Sequence, residues 1–372
     1  MPEPETTLFL AGDVMTGRGV DQVLPHPGDP ALHEEYIDDA RRYVELAEAA
    51  NGPVPRPVDV TWPWGDALQV LDGARPDVRI VNVETSITTS DDYEPAKGVH
   101  YRMHPRNLPC LAAVRPDVCV LANNHVMDFG TTGLLETLDA LDGAGLRSAG
   151  AGRDLEEALQ PVVVDAGAGR RVLVWSVASE TSGVPVSWAA GLGRPGVALL
   201  PDLSEAGADQ LARRVRDARR PGDLVVVSIH WGSNWGYGVP RAQTTFAHAL
   251  VDAGVDVVHG HSSHHPRPVE VYRERLVLYG CGDLVDDYEG IRGYERYRDD
   301  LRLLYLVTLD DTGRLRRLRM VPLQARRLRL EHAADLDTRW LREVLDGISR
   351  PFDAAVDLDT SGPRPVLGVT PR

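Results

Sequence analysis

Asp13, Glu84, Asn124, His125, His230, His261 and His264 each close a short apolar run or sit in the loop just after one. Carboxylate, carboxamide and imidazole groups together make an oxygen and nitrogen donor set for a divalent metal. No thiolate joins them, so manganese, iron, zinc and magnesium stay open and a cysteine zinc finger is excluded. Six of the 12 histidines fall between His230 and His265. Glycines beside them allow close approach to the backbone. Open α/β sheets gather ligands at the carboxyl ends of their strands, where loops converge over a crevice. The pattern therefore points to a metal centre at strand ends.

The elements that must position these groups are legible as short β-branched runs. They are Thr7–Val14, Val78–Thr85, Asp117–His125, Asp223–Trp231 and Asp256–His261. Such runs, bounded by glycine and polar residues, predict buried strands. Apolar residues at helical spacing predict helices over Thr132–Ala144, Glu205–Ala218 and Arg241–Ala253. Alternation of the two predicts an α/β fold. Hairpins are expected over Val162–Val177, around Ala168-Gly169, and over Val269–Tyr279, around Arg273-Glu274-Arg275. They would make the sheets mixed. Residues 25–63 read as an insertion with one helix near Tyr36–Ala50. Seven arginines between Arg314 and Arg329 alternate with apolar residues, as on a strand with one wet face. The last stretch, rich in proline, aspartate and glycine, reads as a loose tail. We expect a main domain over 6–325 and a C-terminal helix and tail over 326–372.

Composition narrows the function. The chain has 372 residues, 43% hydrophobic and 26% charged, as expected for a globular protein. A formal net charge of −15 argues against a nucleic-acid binder or an anionic-membrane binder. No apolar run suits a membrane span and no secretory leader is read at the start, so a cytoplasmic protein without a membrane anchor is expected. Three cysteines, Cys110, Cys119 and Cys281, form no pairwise motif and read as small buried residues. The Gly12–Gly19 loop lacks the Gly-Lys-Ser/Thr ending of a phosphate-binding loop.

Five motifs in order carry a resemblance. They are Gly12-Asp13, Asn82-Val83-Glu84, Asn123-Asn124-His125, His230-Trp231-Gly232 and Gly260-His261-Ser262-Ser263-His264. Together they resemble the CapA/PgsA family, the capsule and poly-γ-glutamate branch of the calcineurin-like metallophosphoesterases, over residues 6–290. The resemblance implies a four-layer αββα metallophosphoesterase-like sandwich with mixed sheets and a two-metal centre. It implies that Asp13 binds the first metal, with His264 returning to it. Glu84 would stand at the bridging position, and Asn124, His230 and His261 would complete the second metal. His125 would serve as an acid or oxyanion donor, with Asp128 orienting it.

There are departures. The superfamily's Asp-x-His motif is Asp13-Val14-Met15 here, which removes one ligand of the first metal. The Tyr279-Gly280-Cys281-Gly282-Asp283 turn stands where many members have Tyr-Ser-Leu-Gly-Asn. Arg18, Lys97, Trp235 and Asp283 are candidates for contacting substrate. Asp286 and Asp287 are further candidates beside Asp283. The expected activity is metal-dependent hydrolysis of a phosphoester, acyl phosphate or amide of an acidic metabolite, linked to capsule or poly-γ-glutamate synthesis. Two alternatives stay open: a metal-stabilised accessory subunit with a synthetase partner, and a γ-glutamyl amide hydrolase. The expected cofactors are two divalent ions, and the expected ligand is a small molecule or a γ-glutamyl chain.

Overall fold

The computed structural model describes residues 5–369 apart from Ala168. The five apolar runs form strands Thr6–Val14, Val78–Val83, Val118–Val120, Leu224–His230 and Val257–His261. The third is shorter than the sequence suggests. Its ladder stops at Val120 because the Asn123 side chain takes the backbone N–H groups of His125 and Val126. Such local bonds compete with strand pairing. The expected helices are Gly130–Gly143, Glu205–Ala218 and Arg241–Asp252.

Two mixed sheets carry the fold. In the first, parallel strands Thr6–Val14, Val78–Val83, Val118–Val120 and Ser148–Ala149 lie side by side. Antiparallel strands Leu301–Leu309 and Leu315–Ala325 extend it beyond Thr6–Val14. In the second, Arg171–Ala178, Leu224–His230, Val257–His261 and Arg275–Leu278 run parallel. Hairpins flank this sheet at both edges, through Val162–Asp165 and Val269–Tyr272. Both expected hairpins are present; Ala168, named in the first of those expectations, lies outside the described residues.

Strand alternation sorts the side chains into layers. Leu8, Leu10 and Ile80 of the first sheet meet Leu224, Val226 and Val257 of the second in one core. Phe9, Ala11, Val81 and Val83 face the other way, onto helix residues Leu71, Leu134 and Leu138. Val225, Val227 and Val258 face helix residues Leu211, Val215, Phe246 and Leu250. The order is helix, sheet, sheet, helix, as expected from the sequence. His259 ties the sheets directly, since its Nε2 lies 2.8 Å from the Ala11 carbonyl oxygen.

One irregularity matters for the site. Leu10 pairs with Ile80, but Asp13, three residues on, pairs with Asn82, only two residues on. The extra residue is a bulge in the first strand. It turns Asp13 from the helix-facing side, which Phe9 and Ala11 occupy, to the side that faces the second sheet.

The insertion contains helix Arg41–Asn51, later in the chain than expected. Asn51 donates to Glu289 at 2.5 Å, which ties the insertion to the segment after the last site strand. Strand Leu315–Ala325 exposes Arg316 and Arg317 while burying Leu315, Leu318 and Met320. Its alternation is that of a half-wet strand. The three cysteines are buried and free. Among the described residues, no helix is long and apolar enough to cross a membrane.

The C-terminal segment is not loose. Strands Asp357–Asp359 and Val366–Val369 pair with each other, and the second pairs with Leu315–Ala325. Leu367 and Val369 enter the core between the sheets, joined by Leu341 and Leu345 of helix Asp335–Ser349. Leu367 and Val369, with Val356 just before the first of these strands, anchor the segment in that core. Leu367→Ala should therefore cost about 2–5 kcal/mol of stability. Urea denaturation checks this; an unchanged midpoint would mean that the segment is not docked.

Candidate metal centre

Parallel pairing aligns the carboxyl ends of the strands. Asp13 stands opposite Asn82 on one side and Asp283 on the other. In the second sheet His230 stands opposite His261. Both imidazoles continue the inward-facing rows that begin with Leu224 and Val257. The two sheets thus present carboxylates and imidazoles to one another across the end of the core.

Asp13 is the shared element. Its carboxylate lies in one group with His230 and His261 and in another with His264 and Asp283. Within each group the potential ligand atoms are within 4.8 Å of one another. Asn82 fixes the carboxylates, since its Nδ2 donates to Asp13 Oδ1 at 2.8 Å and to Glu84 Oε2 at 2.9 Å. Asn123 in turn donates to Asn82 Oδ1. Glu84 Oε1 lies 3.7 Å from His230 Nε2. Asn124 Oδ1 is 2.9 Å from the same nitrogen. Ser262 donates its backbone N–H to Asp13 Oδ2 at 3.2 Å, from a backbone with φ of 105°. A serine in that conformation stores strain, about 1–3 kcal/mol in general. Gly12 permits the closeness of the strands, because a Cβ there would lie 1.7 Å from the Gly282 carbonyl oxygen.

The electrostatics favour a cation. Burial, together with the neighbouring Asp283 charge, raises the Asp13 pKa to about 7. Glu84 is pushed up by burial and by Asp13. Burial drives His230 and His261 well down, so both rings are neutral lone-pair donors. Burial alone would lower His264, but Asp283 at 2.9 Å from its Nδ1 outweighs that and raises it. Asp283 Oδ2 is buried and has no hydrogen-bond partner. Three buried carboxylates, neutral imidazoles and one orphaned carboxylate oxygen fit a divalent ion.

A second set of side chains adjoins this one. His125 Nδ1 is 2.6 Å from Asp128 Oδ2. Lys97 donates to Asp128 Oδ1 and to the Asn124 carbonyl oxygen, and its Nζ lies 3.2 Å from His125 Nδ1. Tyr101 also donates its backbone N–H to Asp128, at 2.7 Å. Burial lowers the His125 pKa to about 4, despite the opposing pull of Asp128. The ring is therefore neutral near pH 7. Its Nδ1–H goes to Asp128, which leaves Nε2 as a proton acceptor. The sequence alone suggests an imidazole titrating near neutrality; burial removes that.

Of the four residues expected at substrate, two have other work. Arg18 gives its donors to Asp287, Glu34 and Tyr43, at 2.5–3.3 Å. Lys97 is committed to Asp128 and Asn124. Trp235 lies beside His264, with ring centroids 5.2 Å apart. Asp283 belongs to the carboxylate and imidazole cluster itself. The sequence had marked the position only as an aspartate where the resemblance leads one to expect asparagine. The positioning role of Asn82 carried no such mark. Asp286 and Asp287 are held by Arg302 and Arg18.

The shared carboxylate gives a testable asymmetry. Asp13→Asn should abolish binding of divalent metal, whereas His261→Gln and His264→Gln should each lose about one of two equivalents. Elemental analysis of untagged protein checks this; equal losses in all three variants would count against two groups sharing Asp13.

Residues 7–288 match the family model described as bacterial capsule synthesis protein PGA_cap. Two proteins from strains of Mycobacterium tuberculosis, each named a probable polyglutamine synthesis accessory protein, are 55% identical over 352 residues, covering 94% of this chain and 93% of theirs. The PGA biosynthesis protein CapA of Bacillus subtilis is 28% identical over 306 residues, covering 82% of this chain and 68% of its own. The capsule biosynthesis protein CapA of Bacillus anthracis is 25% identical, covering 80% of this chain and 63% of its own. With three quarters of its length matched in one stretch, the chain belongs to the PGA_cap family of bacterial capsule synthesis proteins.

Proposed function

We propose that the chain is a divalent-metal-dependent hydrolase of this family, acting on a phosphoester, acyl phosphate or amide whose anionic end faces the metal centre. The observation that carries the reading is Asp13, one buried carboxylate common to two groups of potential ligands. Asp13, His230 and His261, with Glu84 and Asn124 alongside, would hold one ion. Asp13, His264 and Asp283 would hold the other, with Asp283 making good the ligand that Met15 does not supply. Bound divalent ions would polarise a phosphoryl or carbonyl oxygen and make water acidic enough to attack near neutral pH.

The chain's own residues would do the rest. Asn82 holds Asp13 and Glu84 at a fixed separation. Asp128 fixes the His125 tautomer, and Lys97 keeps Asp128 ionised beside it. The free Nε2 of His125 would accept a proton from the attacking water or hold it for the leaving group. The burial of Asp13, Glu84, His125 and Asp128 would strengthen these interactions.

Chelation and His230→Ala should each abolish turnover in a panel of phosphoesters and γ-glutamyl amides, and His125→Ala should lower kcat about 10²–10⁴-fold while metal content is retained. Undiminished turnover after chelation would overturn the reading. Shortening of a γ-glutamyl oligomer, with phosphoesters untouched, would select the amide-hydrolase alternative.

A second reading is a metal-stabilised accessory protein in polyglutamate synthesis. The relatives at 55% identity, named polyglutamine synthesis accessory proteins, favour the accessory role. It predicts that the full chain co-purifies with a polyglutamate synthetase and releases no product from any substrate in that panel. The two readings divide on His125→Ala, which leaves a purely accessory role unaffected.

A further inference from the structure

A large cavity adjoins the candidate metal centre and is walled by aromatic rings. Its volume is about 1160 Å³. His264 and Asn234 are among its lining residues, so it shares His264 with the group formed by Asp13, His264 and Asp283. Tyr36, Tyr43, Trp235, Tyr288 and Tyr294 contribute rings to its walls. Trp235 and Tyr294 stack face to face, with centroids 3.9 Å apart and planes 6° apart. The insertion supplies one wall, through residues between Glu34 and Ala50. The segment from Tyr288 to Glu295 supplies the opposite one. Tyr36 is 89% exposed and Tyr294 is 37% exposed. Large apolar groups left open around a concave site mark ligand surface rather than core.

The charges on this cavity do not suit a polyanion. Its ionisable lining is Glu34, Glu35 and Glu295 against Arg18 and Arg292, besides His264. Arg18 is already neutralised by Asp287 and Glu34. His264 is already paired with Asp283. A run of carboxylates would enter a pocket that is largely apolar and slightly acidic, with Arg292 as its remaining cation.

We infer that the ligand of this site carries a flat apolar group, aromatic or similar, which lies between Tyr36 and the Trp235–Tyr294 pair while its single anionic end meets the metal centre. The inference rests on the metal-centre reading above and adds the class of the non-reacting part. Offset stacking and burial of such a ring supply binding that an aliphatic or carboxylate tail does not. The relatives' association with polyglutamate would then concern a small partner molecule or precursor bearing such a group, rather than the polymer itself occupying this cavity.

Three phosphonates test this with binding as the readout. Methylphosphonate, phenylphosphonate and 2-carboxyethylphosphonate share one metal-seeking head and differ in the tail. Titration calorimetry on the full chain loaded with manganese should give phenylphosphonate at least about tenfold tighter than methylphosphonate. The carboxyethyl compound should bind no tighter than methylphosphonate. Tyr294→Ala should erase the phenyl preference and leave methylphosphonate unchanged, while Tyr294→Phe should keep it. Tyr294 is exposed, so neither variant threatens the fold. Equal affinity for all three compounds, or preference for the carboxylate tail, overturns this inference and leaves the metal centre standing. Failure of all three to bind overturns both.

Discussion

The Asp13 carboxylate is buried at the mouth of an apolar core between two sheets, and the site is arranged around the cost of that burial. Asn82 and Ser262 donate to it, His261 and His264 lie across from it, and the Asp283 carboxylate beside it adds to the cost. An isolated buried charge of this kind shifts its pKa or finds a counter-charge. The crowding therefore makes sense for a centre whose counter-charge is a bound cation. The strained Ser262, the glycine contact at Gly12 and the bulge before Asp13 all serve to bring these groups together.

Around this centre the chain spends its polar residues unevenly. Its sole lysine, Lys97, is used to hold Asp128 and the Asn124 backbone, and so indirectly His125. Arg18 and Arg302 neutralise Asp287 and Asp286 behind the site. These buried pairs are weak arguments for stability, since desolvation offsets most of their attraction. They do fix geometry, and they leave the adjoining cavity with little free positive charge. The insertion after the first site strand then turns a crevice into an aromatic-walled pocket. The candidate metal centre and the pocket share His264, so under the proposed function a reacting group and its substituent would be met by adjacent elements.

Much of this was legible beforehand. Short β-branched runs gave away the site strands, because a strand buried on both faces needs apolar residues throughout. Polar residues at their ends stood out for the same reason. Helices Glu205–Ala218 and Arg241–Asp252 followed from apolar spacing. The docking of Leu367 and Val369 was hidden, since a few apolar residues among prolines and aspartates reveal no partner. Likewise the His125 pKa depends on burial by distant segments, and no local pattern records it. Asp283 was visible as a residue type but not as a neighbour of Asp13, since 270 positions separate them and only the short parallel pairing joins them.

By itself, then, the sequence determined which residue types end each strand, which runs are buried strands, and the family to which the ordered motifs belong. Those properties are local: period-two alternation and the chemistry of single side chains suffice for them. Tertiary structure alone decided which donors meet. By strict alternation Asp13 falls on the same face as Phe9 and Ala11, among the helices. The bulge against Val78–Val83 turns it toward the second sheet, and only there can one carboxylate serve both His261 and His264. A bulge is a property of two strands in register, so no single stretch of sequence could announce it.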